Sequence, residues 1–327
     1  MNKHTTRRAI VAALLSGAAL AATSAPAQAD YPTRPVTIVV TYPPGGTVDV
    51  VARLLGPKLS AKLGQPVVIE NRGGAGGMIG GAMVARAKPD GYTLMLDASN
   101  HSQNPALNSK MMFDTLKDFA PVSLLLRVPN VLVVTPSSPI DSVQALIDAG
   151  KDKATPIYFA SAGPGSAQHL SGELFNMLAK THLEHVAYKG GGPAMIDVMA
   201  GQVPVMFASL GSSWTHIQSG KLRPIAVGGS ERSPAIANLP TIAESGVPGF
   251  SSYEWNAVFA PAGTDPAIVN KVSTALAEVL KDPEIDAKLK GFGAEPIGST
   301  PQELDDFRRA EMRKWEGVVK EAGLSVN

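Results

Sequence analysis

The chain contains no cysteine, which excludes disulfide staples, a thiolate nucleophile and a lipid-anchored N-terminal cysteine. It has no strong excess of either charge, with 29 lysines and arginines against 28 aspartates and glutamates in 327 residues. A nucleic-acid partner calls for a basic excess gathered on one face, so none is implied. Long apolar runs are also missing. The longest, Ala9 to Ala22, covers about fourteen residues, short of the roughly 20 that a bilayer-spanning helix needs. No transmembrane helix or other direct membrane insertion is expected in the mature protein.

Several chemical signatures are absent as well. Gly73 to Gly81 is rich in glycine but not in the Gly-x-Gly-x-x-Gly register of dinucleotide sites, and no Gly-x-x-x-x-Gly-Lys-Ser/Thr occurs. Ser166 lies in Gly165-Ser166-Ala167 and not in Gly-x-Ser-x-Gly, so a nucleophile elbow is unsupported. His182 and His185 stand three apart beside an expected strand without further ligand spacing; neither a metal nor another cofactor is expected.

What is present begins with an export signal. Basic Lys3, Arg7 and Arg8 precede the apolar run, and small residues end in Ala27-Gln28-Ala29 before Asp30, the layout of a secretory signal with an Ala-x-Ala cleavage site. A buried N-terminal helix would need a polar face, whereas Ala9 to Ala22 is apolar or small all round. Export by Sec or by the twin-arginine route is expected, with residues 1–29 removed. Cleavage leaves 26 basic against 28 acidic residues over about 298 positions, a length that fits two domains better than one.

β-Branched runs then alternate with segments of helical period. Strand Val36 to Thr41 leads through a Pro-Gly turn to a helix over Val48 to Leu63, which Pro57 should kink and Gly64 should cap. Strand Val67 to Ile69, a glycine turn, a helix through Ala87 and strand Thr93 to Leu96 complete an α/β series. A second series follows: strand Val131 to Thr135, helix Ser142 to Ala149, strand Ile157 to Ala160, helix Ala167 to Ala179, strand Leu183 to Val186, helix Pro193 to Met199, and strands Val203 to Phe207 and Pro224 to Val227. After an extended run from Phe250 to Pro261 only helices are expected, over Ala267 to Leu280, Pro283 to Leu289 and Pro301 to Ala322. The economical layout is domain 1 from residues 30–130 plus 253–327, domain 2 from 131–252, and two crossing strands as a hinge.

Two turns carry the candidate chemistry. In Tyr42-Pro43-Pro44-Gly45-Gly46-Thr47 the prolines stop the strand, Gly45 and Gly46 let backbone N–H groups approach a partner, and Thr47 can cap the next helix. Ser161-Ala162-Gly163-Pro164-Gly165-Ser166 repeats that chemistry in the second series. A helix start is a ready anion site. Two facing starts would pinch one anionic group, each adding roughly 0.3–1 kcal/mol from its dipole. Each turn is equally readable as a plain connection between strand and helix. His169 is as readily a histidine packing on its own turn as a ligand contact, and Lys189 is more readily a solvated loop lysine. A hydrolase using Ser166 and His169 is the competing reading; it needs an acid to orient His169 and a base within reach of Ser166, but residues three apart on one helix point outward in parallel.

With these residues in hand, the chain resembles the Bug-type solute receptors of tripartite tricarboxylate transporters over essentially its whole mature length. The markers are Tyr31-Pro32-x-Arg34-Pro35, Pro43-Pro44-Gly45-Gly46-x-x-Asp49, Glu70-Asn71-Arg72, Pro89-Asp90-Gly91-Tyr92-Thr93-Leu94, Gly163-x-Gly165-Ser166-x-x-His169-Leu170, Tyr188-Lys189-Gly190-Gly191 and Leu239-Pro240-Thr241-x-x-Glu244. The resemblance implies an α/β two-domain periplasmic-binding-protein fold, type II-like, with a ligand cleft between the domains and a two-stranded hinge. It also implies a non-enzymatic protein of the periplasm, a monomer, that takes a small organic acid and meets transporter membrane subunits or a sensor kinase. A ligand carboxylate would sit between the Gly45-Gly46-Thr47 and Gly163-to-Ser166 turns, partly through water, with Ser161 and His169 close by and Asp49 fixing the first turn. Tyr42, Ser99, Tyr188 and Phe207-Ala208-Ser209 would line the cleft and set specificity. Two departures stand out. Many relatives place an acid near Ala208, and its absence favours a plain carboxylic acid over an amino acid as ligand. Asn256-Ala257 stands where relatives often have glycine.

Overall fold

The computed structural model describes residues 31–44, 47–188, 190–291 and 293–325. The expected signal sequence, Gly45, Gly46 and Lys189 lie outside them. By its contacts the chain divides into Met1–Thr33 and Arg34–Asn327; the second unit carries the elements below.

β1 (Val36–Val40) opens the first sheet and runs parallel to β2 (Val67–Asn71) and β3 (Thr93–Ala98). Helix α1 (Thr47–Leu63) connects β1 to β2 as a single element that includes Pro57. Gly64, at φ 71°, ends it by donating to Ser60 O at 3.0 Å, the left-handed cap glycine permits without steric penalty. Between β2 and β3 lies α2 (Met78–Ala85), and α3 (Asn100–Leu107) follows β3. β3 then pairs antiparallel with β9 (Tyr253–Pro261), which pairs with the first part of β4 (Phe119–Val134).

β4 joins two sheets. Phe119 to Pro129 faces β9, and Asn130 to Val134 faces β7 (Val205–Ser209) and β8 (Arg223–Val227). Beyond β7 come β5 (Tyr158–Ser161) and β6 (Glu184–Ala187), both parallel to their neighbours. The helices of this second sheet are α4 (Val143–Gly150), α5 (Ala167–Ala179), α6 (Gly191–Met199) and α7 (Leu210–Gln218). The chain returns from β8 to β9 through Ser252, whose N–H meets Gly228 O at 2.7 Å and whose carbonyl receives Asn130 N at 3.2 Å. Asn130 Nδ2 donates to both Ser171 Oγ and Ser252 Oγ at 2.9 Å, so the crossing is fastened by buried polar groups.

Helices α8 (Pro266–Leu280), α9 (Pro283–Gly291) and α10 (Pro301–Ala322) complete the chain. A capping box starts α10: Thr300 N donates to Glu303 Oε2 at 2.8 Å and Glu303 N to Thr300 Oγ1 at 3.3 Å. Its apolar stripe serves two cores. Leu304 packs with Val39, Met95, Trp255 and Phe259, whereas Trp315, Val318 and Val319 pack with Phe159, Phe175, Phe207 and Phe250. Each fully buried large side chain contributes roughly 1.5–3 kcal/mol.

The structure corrects the sequence reading in four places. The strand expected from Val131 is the end of a sixteen-residue strand; Pro121 and Pro129 disguised its first part, because proline removes a ladder donor, and Pro121 sits beside a register shift. Helix α3 was not expected, since His101, Ser102, Gln103 and Asn104 are polar yet buried. Nor was α7, whose Ser212, Ser213 and Thr215 weaken the apolar period. The C-terminal part also holds a short strand, β10 (Glu295–Pro296), paired with β4.

Candidate functional site

The turn after β1 is tied down from two sides. Thr41 Oγ1 donates to Asp97 Oδ1 on β3 at 2.6 Å. Asn71 Nδ2, at the end of β2, donates to Tyr42 O at 3.1 Å and to Asp49 Oδ1 at 2.9 Å. Asp49 sits in the first turn of α1, where the dipole favours a carboxylate, and Arg53 Nε reaches its Oδ2 at 3.0 Å. Its charge is thus spent on holding the helix start. Thr47 is the first residue of α1 and not the residue before it, so it does not cap that helix from outside.

The start of α3 lies beside this turn. Ser99 is its N-cap, but the Ser99 hydroxyl serves β9: it accepts from Trp255 N at 2.9 Å and points to Tyr253 O at 3.5 Å. Tyr42 Oη donates to Asn100 Oδ1 at 3.1 Å. Burial, and then the charges of Asp97 and Glu254, hold the Tyr42 phenol well above its usual pKa, so it stays a neutral donor.

The start of α5 comes from the second sheet. Gly163 and Gly165 take φ 126° and 73°, left-handed values that a side chain would resist. Ser166 caps α5 by accepting from His169 N at 3.2 Å while its hydroxyl donates to Gly163 O at 2.7 Å. The amides of Ala167 and Gln168 belong to the first turn, where no helical carbonyl can take them.

These three helix starts meet at one cavity of about 370 Å³. Tyr42, Pro43, Pro44, Thr47 and Val48 line it from α1 and its turn, Ala98, Ser99 and Asn100 from the start of α3, and Ser166, Ala167 and Gln168 from α5. Glu254 and Asn256 form the remaining wall on β9. Gln168 Nε2 donates to Glu254 Oε1 at 2.7 Å. Burial raises the Glu254 pKa, against hydrogen bonds from Ser209 and Gln168 that lower it. Three larger depressions, of about 560, 600 and 660 Å³, contain none of the expected residues.

Of the residues singled out from sequence, Tyr42, Thr47, Ser99 and Ser166 therefore line the cavity, and Gly45 and Gly46 lie outside the described residues. Ser161, Gly163, Gly165, His169, Tyr188 and Ala208 are not on its wall. Ser161 is buried, with Oγ 2.5 Å from His185 Nε2 and accepting Gly163 N at 3.0 Å. Gly163 and Gly165 shape the turn from behind. His169 follows its plainer reading: Nδ1 accepts from Gly165 N at 3.0 Å and the ring stacks on His185 at 3.8 Å. Tyr188 turns away to donate to Asp197 Oδ2 at 2.6 Å, a bond that pushes its phenol up to about 12. Ala208 is fully buried in β7, opposite Val131.

The Ser166 hydroxyl and the His169 imidazole do not bond each other; each bonds backbone of the same turn. Sequence reading missed Asn100, Gln168, Glu254 and Asn256. The signal for the last two was Tyr253-Glu254-Trp255-Asn256, in which polar side chains alternate with large apolar ones on an otherwise apolar strand.

Comparison with known proteins gives a consistent result. A family model described as tripartite tricarboxylate transporter family receptor matches residues 51–324. Protein BugT of Bordetella pertussis is 39% identical over 94% of this chain and 95% of its own. An R. palustris protein solved with adipate is 39% identical, covers 90% of this chain and 99% of its own, and superposes with a TM-score of 0.79. MatC from Rhodopseudomonas palustris, solved with bound malate, is 34% identical over 88% of this chain and all of its own, at a TM-score of 0.75.

Proposed function

The chain belongs to the tripartite tricarboxylate transporter receptor family, and we propose that it captures a small carboxylate-bearing metabolite in the periplasm and hands it to a transporter. It is a receptor and not an enzyme, as its family is. Its fold is the α/β two-domain periplasmic-binding-protein fold with β4 and β9 as hinge strands.

The observation that carries the reading is the meeting of three helix starts, α1, α3 and α5, at one cavity. Each presents N–H groups and the positive end of a dipole, so a carboxylate placed among them gains charge-assisted bonds that no lysine or arginine need supply. The bound adipate and malate of two relatives favour the same ligand class.

In this reading, residues 30–130 with 253–327 and residues 131–252 act as two domains that close on the ligand, Gly45 and Gly46 adding further backbone donors. Residues 1–29 act as the export signal, by Sec or the twin-arginine route, and among the described residues no helix is long and apolar enough to cross a membrane. The closed receptor docks as a monomer on the membrane subunits of the transporter, with a sensor kinase as the other possible recipient.

The test is a thermal-unfolding screen of the mature protein against mono-, di- and tricarboxylates and their matched amides. A ligand that binds only the native state raises the melting temperature, by about 2.7 kcal/mol of stabilisation at a hundred times Kd. A rise with acids that is absent with the amides, and reduced in Ser166→Ala, supports the reading; equal rises with acid and amide overturn it.

A further inference from the structure

The wall that β9 contributes has a chemistry of its own. Glu254 and Asn256 are two residues apart on a strand, so both side chains face the cavity while Trp255 between them is fully buried. Among the described lining residues Glu254 is the single carboxylate, and none is lysine, arginine or histidine. Its described partners, Gln168 and Ser209, are neutral. Asn256 is 3% exposed, gives its amide N–H to Trp255 O at 3.0 Å, and its Oδ1 has no hydrogen-bond partner. The cavity therefore has donors at its helix starts and acceptors on β9.

A buried acceptor without a partner, such as Asn256 Oδ1, is unfavourable until something donates to it, and the Glu254 carboxylate, bonded to neutral groups alone, has no positive charge opposite it. Asp97 on neighbouring β3 adds negative potential, its charge acting after burial among the causes that raise the Tyr42 phenol. A ligand carrying only carboxylates meets the helix starts well and meets β9 badly.

We propose that Glu254 and Asn256 form an amine subsite, so that this receptor prefers amino carboxylates, their carboxylate toward the helix starts and their ammonium on β9. This rests on the carboxylate-receptor reading above. An ammonium brings three donors and one positive charge, enough to bond both the Glu254 carboxylate and Asn256 Oδ1. The preference for a plain acid was read from one missing candidate partner, the acid near Ala208 on β7; β9 carries another in Glu254.

Isothermal titration of matched pairs tests the proposal: L-aspartate with succinate, L-glutamate with glutarate, and 4-aminobutyrate with butyrate. In wild type the amine-bearing member of at least one pair should bind about tenfold tighter or more, and Glu254→Gln, with its folding checked by circular dichroism, should abolish that ratio. Asn256→Leu, which removes the acceptor oxygen at similar volume, should lower the same ratio and decides the matter if Glu254→Gln does not fold. Plain acids binding as tightly as their amines in every pair overturn the amine subsite and leave the receptor reading standing. The same holds if Glu254→Gln keeps the preference, or binds dicarboxylates more tightly than wild type, because glutamine mimics a protonated Glu254 that donates to an acid. No binding by any member of any pair overturns the amine subsite and leaves the receptor reading to the broader unfolding screen.

Discussion

Gln168 Nε2, in the first turn of α5, donates to Glu254 Oε1 on β9 at 2.7 Å, joining the helix start of the second sheet to an inner strand of the first. The bond satisfies an acceptor that would otherwise face the cavity with only Ser209 to help.

Gln168→Leu is expected to lower the unfolding free energy by about 1–3 kcal/mol, because the substitution leaves Glu254 short of a donor while keeping the side-chain bulk. Urea unfolding reads this as a lower midpoint at unchanged slope. A midpoint equal to wild type would mean that the carboxyl finds another donor without cost.

Much of the architecture was readable before the structure. Helix Ala167 to Ala179 and helix Pro301 to Ala322 were bounded to the residue, because Ser166 and Thr300 are strong cap residues beside clear apolar periods. The site was readable in its turns and not in its floor. Ser166 marked itself by a glycine turn before a helix, a local signal. Glu254 and Asn256 reach the cavity only because β9 pairs between β3 and β4, a long-range arrangement that local pattern cannot specify. His169 and Ala208 misled for other reasons: His169 stands next to a site turn in sequence and Ala208 was placed by resemblance, yet their side chains face the core of the second sheet.

Gly172 and Gly317 should respond oppositely to alanine although both are helical. A Cβ on Gly317 in α10 meets nothing within 4 Å, so Gly317→Ala should stabilise by up to about 1 kcal/mol through helix propensity. A Cβ on Gly172 in α5 would lie 2.2 Å from the Phe159 ring, which is buried among Phe207, His169 and His185. Gly172→Ala should therefore destabilise by about 1–3 kcal/mol despite the same propensity gain. Chemical denaturation of the two variants checks the sign, and a stabilised Gly172→Ala would show that the ring yields freely.

Arg308 in α10 is 2% exposed and serves three oxygens: Asp305 Oδ1 at 2.6 Å, Thr115 O at 3.1 Å and Phe119 O at 3.4 Å. Arg309 beside it is exposed and pairs with the same Asp305 at 2.7 Å. Arg308→Met should cost about 1–3 kcal/mol, since it leaves the Thr115 and Phe119 carbonyls without their arginine donor while Arg309 keeps its pair with Asp305, whereas Arg309→Ala should cost about 0–1 kcal/mol, the ordinary value of a surface pair. Equal losses in the two variants would mean that the ion pair, and not the buried carbonyl contacts, carries the effect.

His185 should make the second sheet sensitive to acid. Burial, and then the charge of the His169 ring stacked 3.8 Å away, lower its pKa from 6.5 to about 4, while Glu173 acts weakly the other way. Above 6.5 the imidazole is neutral in both folded and unfolded chains and the full stability is present. As pH falls from 6.5 toward 4, the unfolded chain binds a proton that the folded one refuses, so stability is lost across that window and levels off below it. The comparison that isolates this group is the difference in urea midpoint between wild type and His185→Gln, because the carboxylates that titrate in the same range cancel. Glutamine keeps a polar group within reach of Ser161 and cannot take up the proton, so the difference should shift steadily in favour of the variant between pH 6.5 and 4. A difference that stays constant with pH would mean that His185 protonates in the folded protein as readily as in the unfolded one, which its 2.5 Å approach to Ser161 Oγ in a buried turn argues against.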